Sequence, residues 1–299
     1  MSKDRGTILI NAVVVVLAIA AIAAGLLTRS EAARIRAGDA QLADQLDLYL
    51  DAGERLAPGL LEAVDRDAVA HPGQAWSSTR VFPIDRGEVS VQIVDLQGRL
   101  NANWLLRNDE DINDAFDAVF SRLNVPRSLR LEIADFLSPS GPRGTAYLSR
   151  TPPVWPRGGS AFAIEDLREV QGMEPRYFDS LRTSISALPS EAKLNINTAP
   201  PAILAPMITG FPSELQSEIL DPEAPFTNLS DLRALAVELL ETEEVDFLPF
   251  DRLTVSSQWF RATLTAELDG RTAKRVVILR HMLGQDPPFS RHARWAVYD

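Results

Sequence analysis

Few residues in this 299-residue chain have the types and spacing that catalysis requires. The chain has no cysteine, which removes thiol nucleophiles, disulfides and thiolate metal sites. Its three histidines, His71, His281 and His292, lie far apart and match no metal-binding motif. The sequence also contains no nucleophile elbow, phosphate-binding loop or dinucleotide glycine pattern. We therefore expect no catalytic residues, no cofactor and no enzyme activity.

The N-terminus has the clearest pattern in the chain. A short charged leader ends at Gly6, and Thr7 follows it. The twenty residues from Ile8 to Leu27 carry no charge, and among them only Asn11 is strongly polar. A helix of that length spans about 30 Å, the hydrocarbon thickness of a bilayer. The pattern predicts a transmembrane helix, with a plain signal anchor as an alternative. Basic residues flank the run on both sides, so the positive-inside rule leaves its orientation open.

Helical spacing continues beyond the apolar run. Residues that could form one stripe recur at intervals of seven, four or three, namely Ile35, Leu42, Leu46, Tyr49, Gly53 and Leu56. Because no proline occurs before Pro58, one helix is predicted from about Ile8 to Ala57. Its second half is amphipathic and is expected to lie on elements that follow it.

Strand-like segments lie on both sides of a long middle region. Residues 81–84 and 89–96 flank a turn, and residues 259–268 and 273–283 flank Asp269-Gly270, a strong hairpin signal. These segments predict an α+β fold in which the long N-terminal helix packs on a small antiparallel sheet. The late hairpin is expected to join the same sheet as residues 89–96.

The middle region is predicted to be helical. Its apolar periodicity indicates helices at 112–123 and 128–137, and residues 138–159 form a loop rich in proline, glycine and serine. Two helix-hairpin-helix-like units follow at 164–185 and 194–220, and a third helix is expected at 228–240. Thr198 and the pair Ser230-Asp231 are predicted helix caps.

Such hairpins raise the alternative of a membrane-anchored helix-hairpin-helix DNA-binding protein. DNA-binding versions hold phosphates with hairpin amides and nearby basic side chains. Residues 160–221 contain four basic and nine acidic residues, and the whole chain has a net charge of −11. Phosphate would be repelled, so we expect no nucleic acid partner.

Several motifs together resemble the minor pseudopilins of the type II secretion system, specifically the general secretion pathway K family. They are the R-G pair before the apolar helix, FPIDRGEVSVQIVDLQGRLNAN, LREVQGM, LNINTAP and the closing strand pair. The resemblance implies a pilin-like fold carrying a large all-helical inserted domain with helix-hairpin-helix or SAM-like units. It divides the chain into a cleaved leader at 1–6, a transmembrane segment at 7–28, the amphipathic helix and first strands at 29–102, the helical insert at 103–250 and the C-terminal strands at 251–299.

The resemblance also implies a structural role. Such a protein forms the tip of the periplasmic pseudopilus and supports protein export across the outer membrane. Its implied partners are other minor pseudopilins resembling the I and J components, the pseudopilus subunits and the prepilin peptidase. It would cross the inner membrane once, with its N-terminus cytoplasmic and its globular part periplasmic.

Two N-terminal features fit this family. The family's membrane peptidase would cut between Gly6 and Thr7 and methylate the new amine, and glycine suits a backbone that must approach catalytic groups closely. Asn11 would become the fifth mature residue, where most pilin-like proteins carry a glutamate that pairs with the amine of the subunit above. K proteins typically lack that glutamate, which suits a subunit with nothing above it.

Partner contacts are expected along the long helix, through positions near Ile35, Leu42 and Leu46 that the sheet would leave uncovered. Such contacts should be apolar, because the three side chains are aliphatic.

Calcium in the helical domain is a further implication of the family. Here, however, the matching stretch IADFLSPSGPRG has Ser138 and Ser140 where carboxylates are expected, while Asp135 remains. The acidic cluster at 109–111 could contribute ligands, but its simpler interpretation is the start of a helix, where the helix dipole favours negative charge. Because calcium needs six to eight oxygen ligands, we expect no tight calcium site.

Overall fold

A computed structural model describes residues 3–297 apart from 108, 157, 243 and 246, and side chains from Val13 onward except that of Asp67. The α-helices in this part of the chain are α1 (Lys3–Leu60), α2 (Glu62–Asp67), α3 (Glu110–Arg122), α4 (Arg127–Phe136), α5 (Pro175–Leu181), α6 (Pro201–Met207), α7 (Ser213–Leu220) and α8 (Ser230–Leu240). The strands are β1 (Arg80–Ile84), β2 (Gly87–Asp95), β3 (Leu100–Asn101), β4 (Ile185–Ser186), β5 (Leu194–Asn195), β6 (Leu253–Thr254), β7 (Trp259–Leu268), β8 (Arg271–His281) and β9 (Phe289–Val297). Short 3₁₀ helices cover Ala75–Ser77, Ala102–Arg107, Ile164–Glu169 and Phe250–Arg252.

The first helix, α1, is 58 residues long and agrees with the predicted continuous helix. Pro58 lies in its last turn, and the chain turns there, with Leu61 N donating to the Pro58 carbonyl at 3.0 Å. Residues 13–31 are all exposed. Within the described residues, α1 is the one helix that is long and apolar enough to cross a membrane.

Five antiparallel strands form the main sheet in the order β1-β2-β7-β8-β9. The late hairpin therefore joins the early strands, as predicted, through β2 and β7. Asp269 and Gly270 both have positive φ, 51° and 76°, which suits a tight hairpin. The edge strand β9 was not predicted, because its apolar residues are interrupted by Arg291, His292 and Arg294.

The second half of α1 packs on one face of this sheet. Its buried positions Leu46, Leu50, Gly53 and Ala57 follow spacings of four, three and four, which place them on one side of a helix. They join Val89, Val91 and Leu264 in one apolar cluster. The close approach depends on Gly53, where a Cβ would lie 3.3 Å from Val89 Cγ1 and 3.5 Å from Leu264 Cδ2.

Between β2 and β7 the chain builds a second apolar core. Its largest fully buried side chains include Phe116, Phe120 and Phe250. Helices α3 and α4 agree with the prediction within two residues. The region is not purely helical, because β3 pairs with β4 and β5 pairs with β6, each in parallel. In addition, the first arm of the first hairpin unit is the 3₁₀ helix Ile164–Glu169.

Both predicted helix caps are wrong. Helix α6 begins after Pro200 with no side-chain cap, and Thr198 instead donates its hydroxyl to Asp95 at 2.6 Å. At α8, the side-chain oxygen Oδ1 of Asn228 accepts hydrogen bonds from the backbone amides of Ser230 and Asp231 at 2.8 and 3.2 Å. Asn228 can do so because it lies just before the first turn of the helix. Capping residue types thus occur at both sites, but Thr198 is bound to Asp95, which leaves α6 without a side-chain cap, and Asn228 serves at α8.

The glycine at the helix–sheet contact gives a stability prediction. Replacing Gly53 with leucine should lower the free energy of unfolding by about 1–3 kcal/mol, because the added side chain overpacks the contact with Val89. Gly38→Leu on the same helix is the matched control, since no atom lies within 4 Å of a Cβ there. Its effect should be neutral or favourable by up to about 1 kcal/mol through helix propensity. Thermal unfolding of the full chain in detergent measures both, and equal losses would contradict the packing described.

Candidate functional site: the exposed helix and the polar junction

The three side chains predicted to bind partners have different environments. Ile35 is 56% exposed and is free of the sheet. Leu42 is half-buried and packs against the sheet cluster, and Leu46 is 6% exposed within that cluster. The expectation that the sheet leaves all three uncovered is therefore wrong for Leu46 and weakened for Leu42.

The physical reason lies in the helical period. The intervals that place Leu42 and Leu46 in a stripe continue to Leu50 and Gly53, and this stripe is what the protein's own sheet covers. An apolar stripe indicates that one helix face is buried, but it does not indicate whether the protein's own sheet or a partner buries that face. Outside this stripe, Leu48 on the opposite face of the helix is 67% exposed and Leu56 on its flank is 45% exposed. These two leucines were not predicted as contact positions.

The residues assigned to processing lie at the start of α1. The backbone at Gly6, Thr7 and Asn11 is helical. Their side chains lie outside those described, so the roles assigned to them stay predictions.

An ion-pair cluster fixes α1 to strand β8 of the sheet. Arg275 of β8 is 7% exposed and contacts Asp47 at 3.2 Å, Glu54 at 3.4 Å and Asp51 more closely. The hydrogen bond from Arg275 lowers the pKa of the Asp51 carboxyl, and Arg294 adds to that effect. Acidic residues at spacings of four and three along one helix are the sequence signal for such a cluster, which was not predicted.

A buried polar junction, centred on Asp95, joins the sheet to the helical region. Asp95 ends β2 and is 5% exposed. Its carboxylate accepts hydrogen bonds from Gln97 N at 2.8 Å, Asn195 Nδ2 at 3.1 Å, Thr198 Oγ1 at 2.6 Å and Ser257 Oγ at 2.5 Å. Burial raises the pKa of the Asp95 carboxyl, and the four donors oppose that rise.

The junction brings together the motifs DLQGRLN and LNINTAP, which are about a hundred residues apart. Gln97 O accepts Asn195 N at 2.9 Å, and the Gln97 side chain donates to the Lys193 carbonyl at 2.9 Å. A Cβ at Gly98 would lie 2.8 Å from the carbonyl oxygen of Thr198, so only glycine fits there without a shift. Both motifs therefore serve to dock the helical region on the sheet.

Two asparagines extend this docking. Asn101 donates to the carbonyls of Leu188 and Pro189, and it accepts Leu188 N at 3.0 Å. Asn103 donates to the carbonyls of Ala161 and Leu188 and accepts Ala161 N at 2.8 Å. Because both amides are buried and fully engaged, the orientation of these segments is closely specified.

The hairpin that suggested DNA binding is engaged within the protein. Gln171 N, in the first hairpin, donates to the Tyr147 hydroxyl at 2.9 Å. Arg176, which follows that hairpin, pairs with Glu174 at 2.9 Å. These contacts favour packing over phosphate binding.

The candidate calcium ligands have protein partners. Asp135 accepts Arg143 N at 2.9 Å, and the Ser138 and Ser140 hydroxyls lie 3.1 Å apart. Asp109 caps α3 by accepting Ile112 N at 3.3 Å. Both Asp109 and Asp111 pair with Arg252, at 2.8 and 3.2 Å. Across the described residues, no group of three or more histidine, aspartate or glutamate side chains is placed to hold a metal ion.

Comparison with known proteins gives three curated relatives, each named type II secretion system protein K. The one from Pseudomonas aeruginosa is 32% identical over 239 residues, which cover 72% of this chain and 71% of the relative. The one from Aeromonas hydrophila is 28% identical over 56% of this chain and 58% of the relative. The one from Pectobacterium carotovorum subsp. carotovorum is 24% identical over 95% and 94%. No family model matches the chain.

A solved structure has the same fold. It is a chain of the crystal structure of the GspK-GspI-GspJ complex from enterotoxigenic Escherichia coli. The TM-score is 0.69, with 22% identity over 88% of this chain and 100% of that chain.

A long apolar helix packed on an antiparallel sheet, with a helical region between two neighbouring strands, defines a pilin-like protein. The Pseudomonas aeruginosa relative is 32% identical over more than two thirds of both chains. The chain therefore belongs to the type II secretion system protein K family. It is a minor pseudopilin of that system, as the motifs indicated. The DNA-binding alternative is therefore set aside.

The polar junction gives a second prediction. Asp95→Asn should lower the free energy of unfolding by about 1–3 kcal/mol, because the new amide group would face donors that now have an acceptor. Asp85→Asn, in an exposed turn, is the control and should change it by less than about 0.5 kcal/mol. Urea unfolding of the full chain in detergent measures both, and an Asp95 variant as stable as its control would contradict a docking role for this carboxylate.

Proposed function

We propose that this protein forms the tip of the periplasmic pseudopilus, in a complex with two smaller minor pseudopilins that resemble the I and J components. In this role it supports protein export by structure rather than by catalysis. It crosses the inner membrane once, with a cytoplasmic N-terminus and a periplasmic globular part. The leader at 1–6 is removed by the prepilin peptidase.

The observation that carries this proposal is the uncovered length of α1. Residues 13–31 are all exposed, and the large apolar side chains from Val13 to Leu27 are 50–71% exposed. A bilayer covers the N-terminal part of such a helix when the protein is inserted. Beyond it, the exposed side chains of Ile35, Leu48 and Leu56 offer apolar surface to neighbouring helices. A subunit held by helix-to-helix contacts with other pseudopilins needs this arrangement.

The tip position is supported by the size of the helical region. Residues 96–258, between β2 and β7, make up more than half of the chain. A subunit in the body of a filament needs free space above and below its globular part. One that carries so large a region fits where one side is open.

Asn11 also supports the tip position, in which no other subunit lies above this one. A carboxylate in an apolar helix bundle is costly unless a cation pairs with it. A tip subunit has no amine above it to neutralise a glutamate, so a neutral amide at the fifth mature position is consistent with that place.

Processing gives a direct test. In cells with an active prepilin peptidase, the mature chain should begin at Thr7, because Gly6 precedes the apolar helix as the cleavage site requires. Intact-mass measurement should show the loss of residues 1–6. In Gly6→Leu the mass should stay that of the full chain, since a large side chain blocks close approach of the backbone. A wild-type chain retained at full length would instead support a plain signal anchor.

Association gives the test of the tip complex. The full chain should co-purify from detergent with I- and J-like pseudopilins produced beside it. Leu48→Glu should reduce the recovered partners about tenfold or more, because a charge buried in an apolar helix contact has no partner. Leu131→Glu is the matched control, since Leu131 is an equally outward leucine, 56% exposed on α4, and should leave recovery unchanged.

Two results would contradict the tip complex. One is regular incorporation of this protein along the whole length of the filament. The other is full secretion by a strain that lacks this protein and has no related subunit to replace it.

A further inference from the structure

A cavity lies on the face of the sheet turned away from α1. Trp259, Ile278 and Trp295 line it from the sheet, and Phe162 and Ala187 line it from the helical region. Trp259 and Ile278 belong to an apolar cluster separate from the one that packs on α1, because successive residues of a strand point to opposite faces.

The cavity has the size of one small ring. Its volume is about 150 Å³. An apolar cavity of that volume stays dry and binds benzene. Phe162 lines the cavity and is 65% exposed, so the cavity opens to the protein surface beside this side chain, where a ligand can enter.

The polar groups of the two segments that line the cavity from the helical region are hydrogen-bonded within the protein. Asn103 accepts a hydrogen bond from Ala161 N and donates to the carbonyls of Ala161 and Leu188. Phe162 N donates to Asp166 Oδ2 at 2.8 Å. A buried water needs two to four polar partners, so engaged groups favour an apolar occupant over water.

The charged side chains that line the cavity are also engaged. Arg261 Nη2 lies 3.4 Å from Glu165 Oε1, and Arg99 donates to the Arg182 carbonyl at 2.7 Å. Burial lowers the pKa of Arg99 to about 10, as expected in a poorly hydrated environment. The unpaired oxygens Glu165 Oε2 and Ser186 Oγ each expose less than 1 Å², so they offer a ligand no hydrogen bond. An apolar ligand needs none of these groups, whereas a polar ligand would compete with the existing pairs.

The two tryptophan rings that line the cavity are held by their neighbours. His292 contacts the Trp259 ring edge-to-face at a centroid distance of 4.9 Å, and the Arg280 guanidinium lies 5.3 Å from the centroid of the same ring. The Arg261 guanidinium lies 5.9 Å from the centroid of the Trp295 ring. Because such contacts restrain both rings, the ligand meets a cavity that is already formed.

We propose that this cavity binds a neutral aromatic ring of the size of benzene. The ring lies between Trp259, Ile278 and Trp295, and burial of its apolar surface drives binding. It belongs either to a free small molecule or to a phenylalanine side chain of another protein segment.

The test uses benzene as the probe and the tryptophans of the protein as reporters. The chain has five tryptophans, and the other three are Trp76, Trp104 and Trp155. Their indole NMR resonances are assigned in the full chain in detergent by single tryptophan-to-phenylalanine replacements. Benzene should move the resonances of Trp259 and Trp295 saturably and leave the other three in place. Because α1 contains no tryptophan, uptake of benzene by the micelle does not produce this pattern.

Pyridine tests whether the site is apolar. It has the shape of benzene, but its ring nitrogen would lose its hydrogen bond to water without gaining a partner. Pyridine should therefore bind about tenfold more weakly than benzene at equal free concentration.

Two variants change the volume of the cavity. Ala187→Leu should abolish the benzene-induced shifts, because the added side chain fills the space, while the Trp76 and Trp104 resonances report that the protein is folded. Ala37→Leu, at an exposed position of α1, is the matched control and should leave the shifts unchanged. Ile278→Ala enlarges the cavity and should raise the affinity for naphthalene about threefold or more.

Two blocked peptides, Ac-Gly-Phe-Gly-NH₂ and Ac-Gly-Ala-Gly-NH₂, distinguish the source of the ring. If the phenylalanine peptide alone of the two moves the Trp259 and Trp295 resonances, the ring is a protein side chain. If benzene moves them and neither peptide does, the ring comes from a free small molecule.

Three results would overturn the proposal. They are no saturable movement of the Trp259 and Trp295 resonances, equal affinity for benzene and pyridine, and benzene-induced shifts that persist unchanged in Ala187→Leu. None of these bears on leader processing or on the association of α1 with other pseudopilins, so the two proposals fail separately.

Discussion

The hydrogen bonds to the buried carboxylate of Asp95 are the interaction on which the placement of the helical region on the sheet depends. This carboxylate lies where the chain leaves the sheet, and Ser257, one of its four donors, lies where the chain returns. Asn195 links the same carboxylate to the Ala70 carbonyl, beyond the end of the long helix. A buried charge is tolerated only when donors surround it, so these segments must meet in one geometry. The orientation of the helical region on the sheet follows from that requirement.

The long helix meets a different constraint, because its C-terminal half is covered by the protein's own sheet and its N-terminal half needs a cover from outside the protein. Its C-terminal half is held by a narrow apolar stripe, by the close approach at Gly53 and by the contacts of Arg275 with acidic residues. In its N-terminal half, the described side chains from Val13 to Glu31 are all exposed and have no cover within the protein. Rigid attachment at one end lets the helix present the other end as a fixed rod, which is what insertion into a membrane or a helix bundle requires.

Local patterns made the helices and the main sheet predictable. The features that could not be predicted, such as what covers Leu46 and what Thr198 binds, depend on contacts between residues far apart in the sequence. The periodicity of α1 and the Asp269-Gly270 turn are short-range signals, and both led to correct elements. Leu46 was misassigned because a stripe does not identify what covers it. Thr198 was misassigned because a hydroxyl ahead of a helix resembles a cap, while its acceptor is Asp95, 103 residues earlier. The motifs that meet at the junction were useful for recognition, yet nothing local indicated that they touch.

The position of the helical region explains how a pilin-like sheet accommodates it. Asp95 and Phe260 are paired across β2 and β7, so the chain leaves and re-enters the sheet at neighbouring points. The entropic cost of closing a connection grows only slowly with its length, and the register of the sheet is unaffected by what lies between. The region attaches at one end of the strands, and the face that packs on α1 keeps its apolar residues. A large region can therefore be carried without altering the helix-on-sheet contact, provided that the polar junction fixes its orientation.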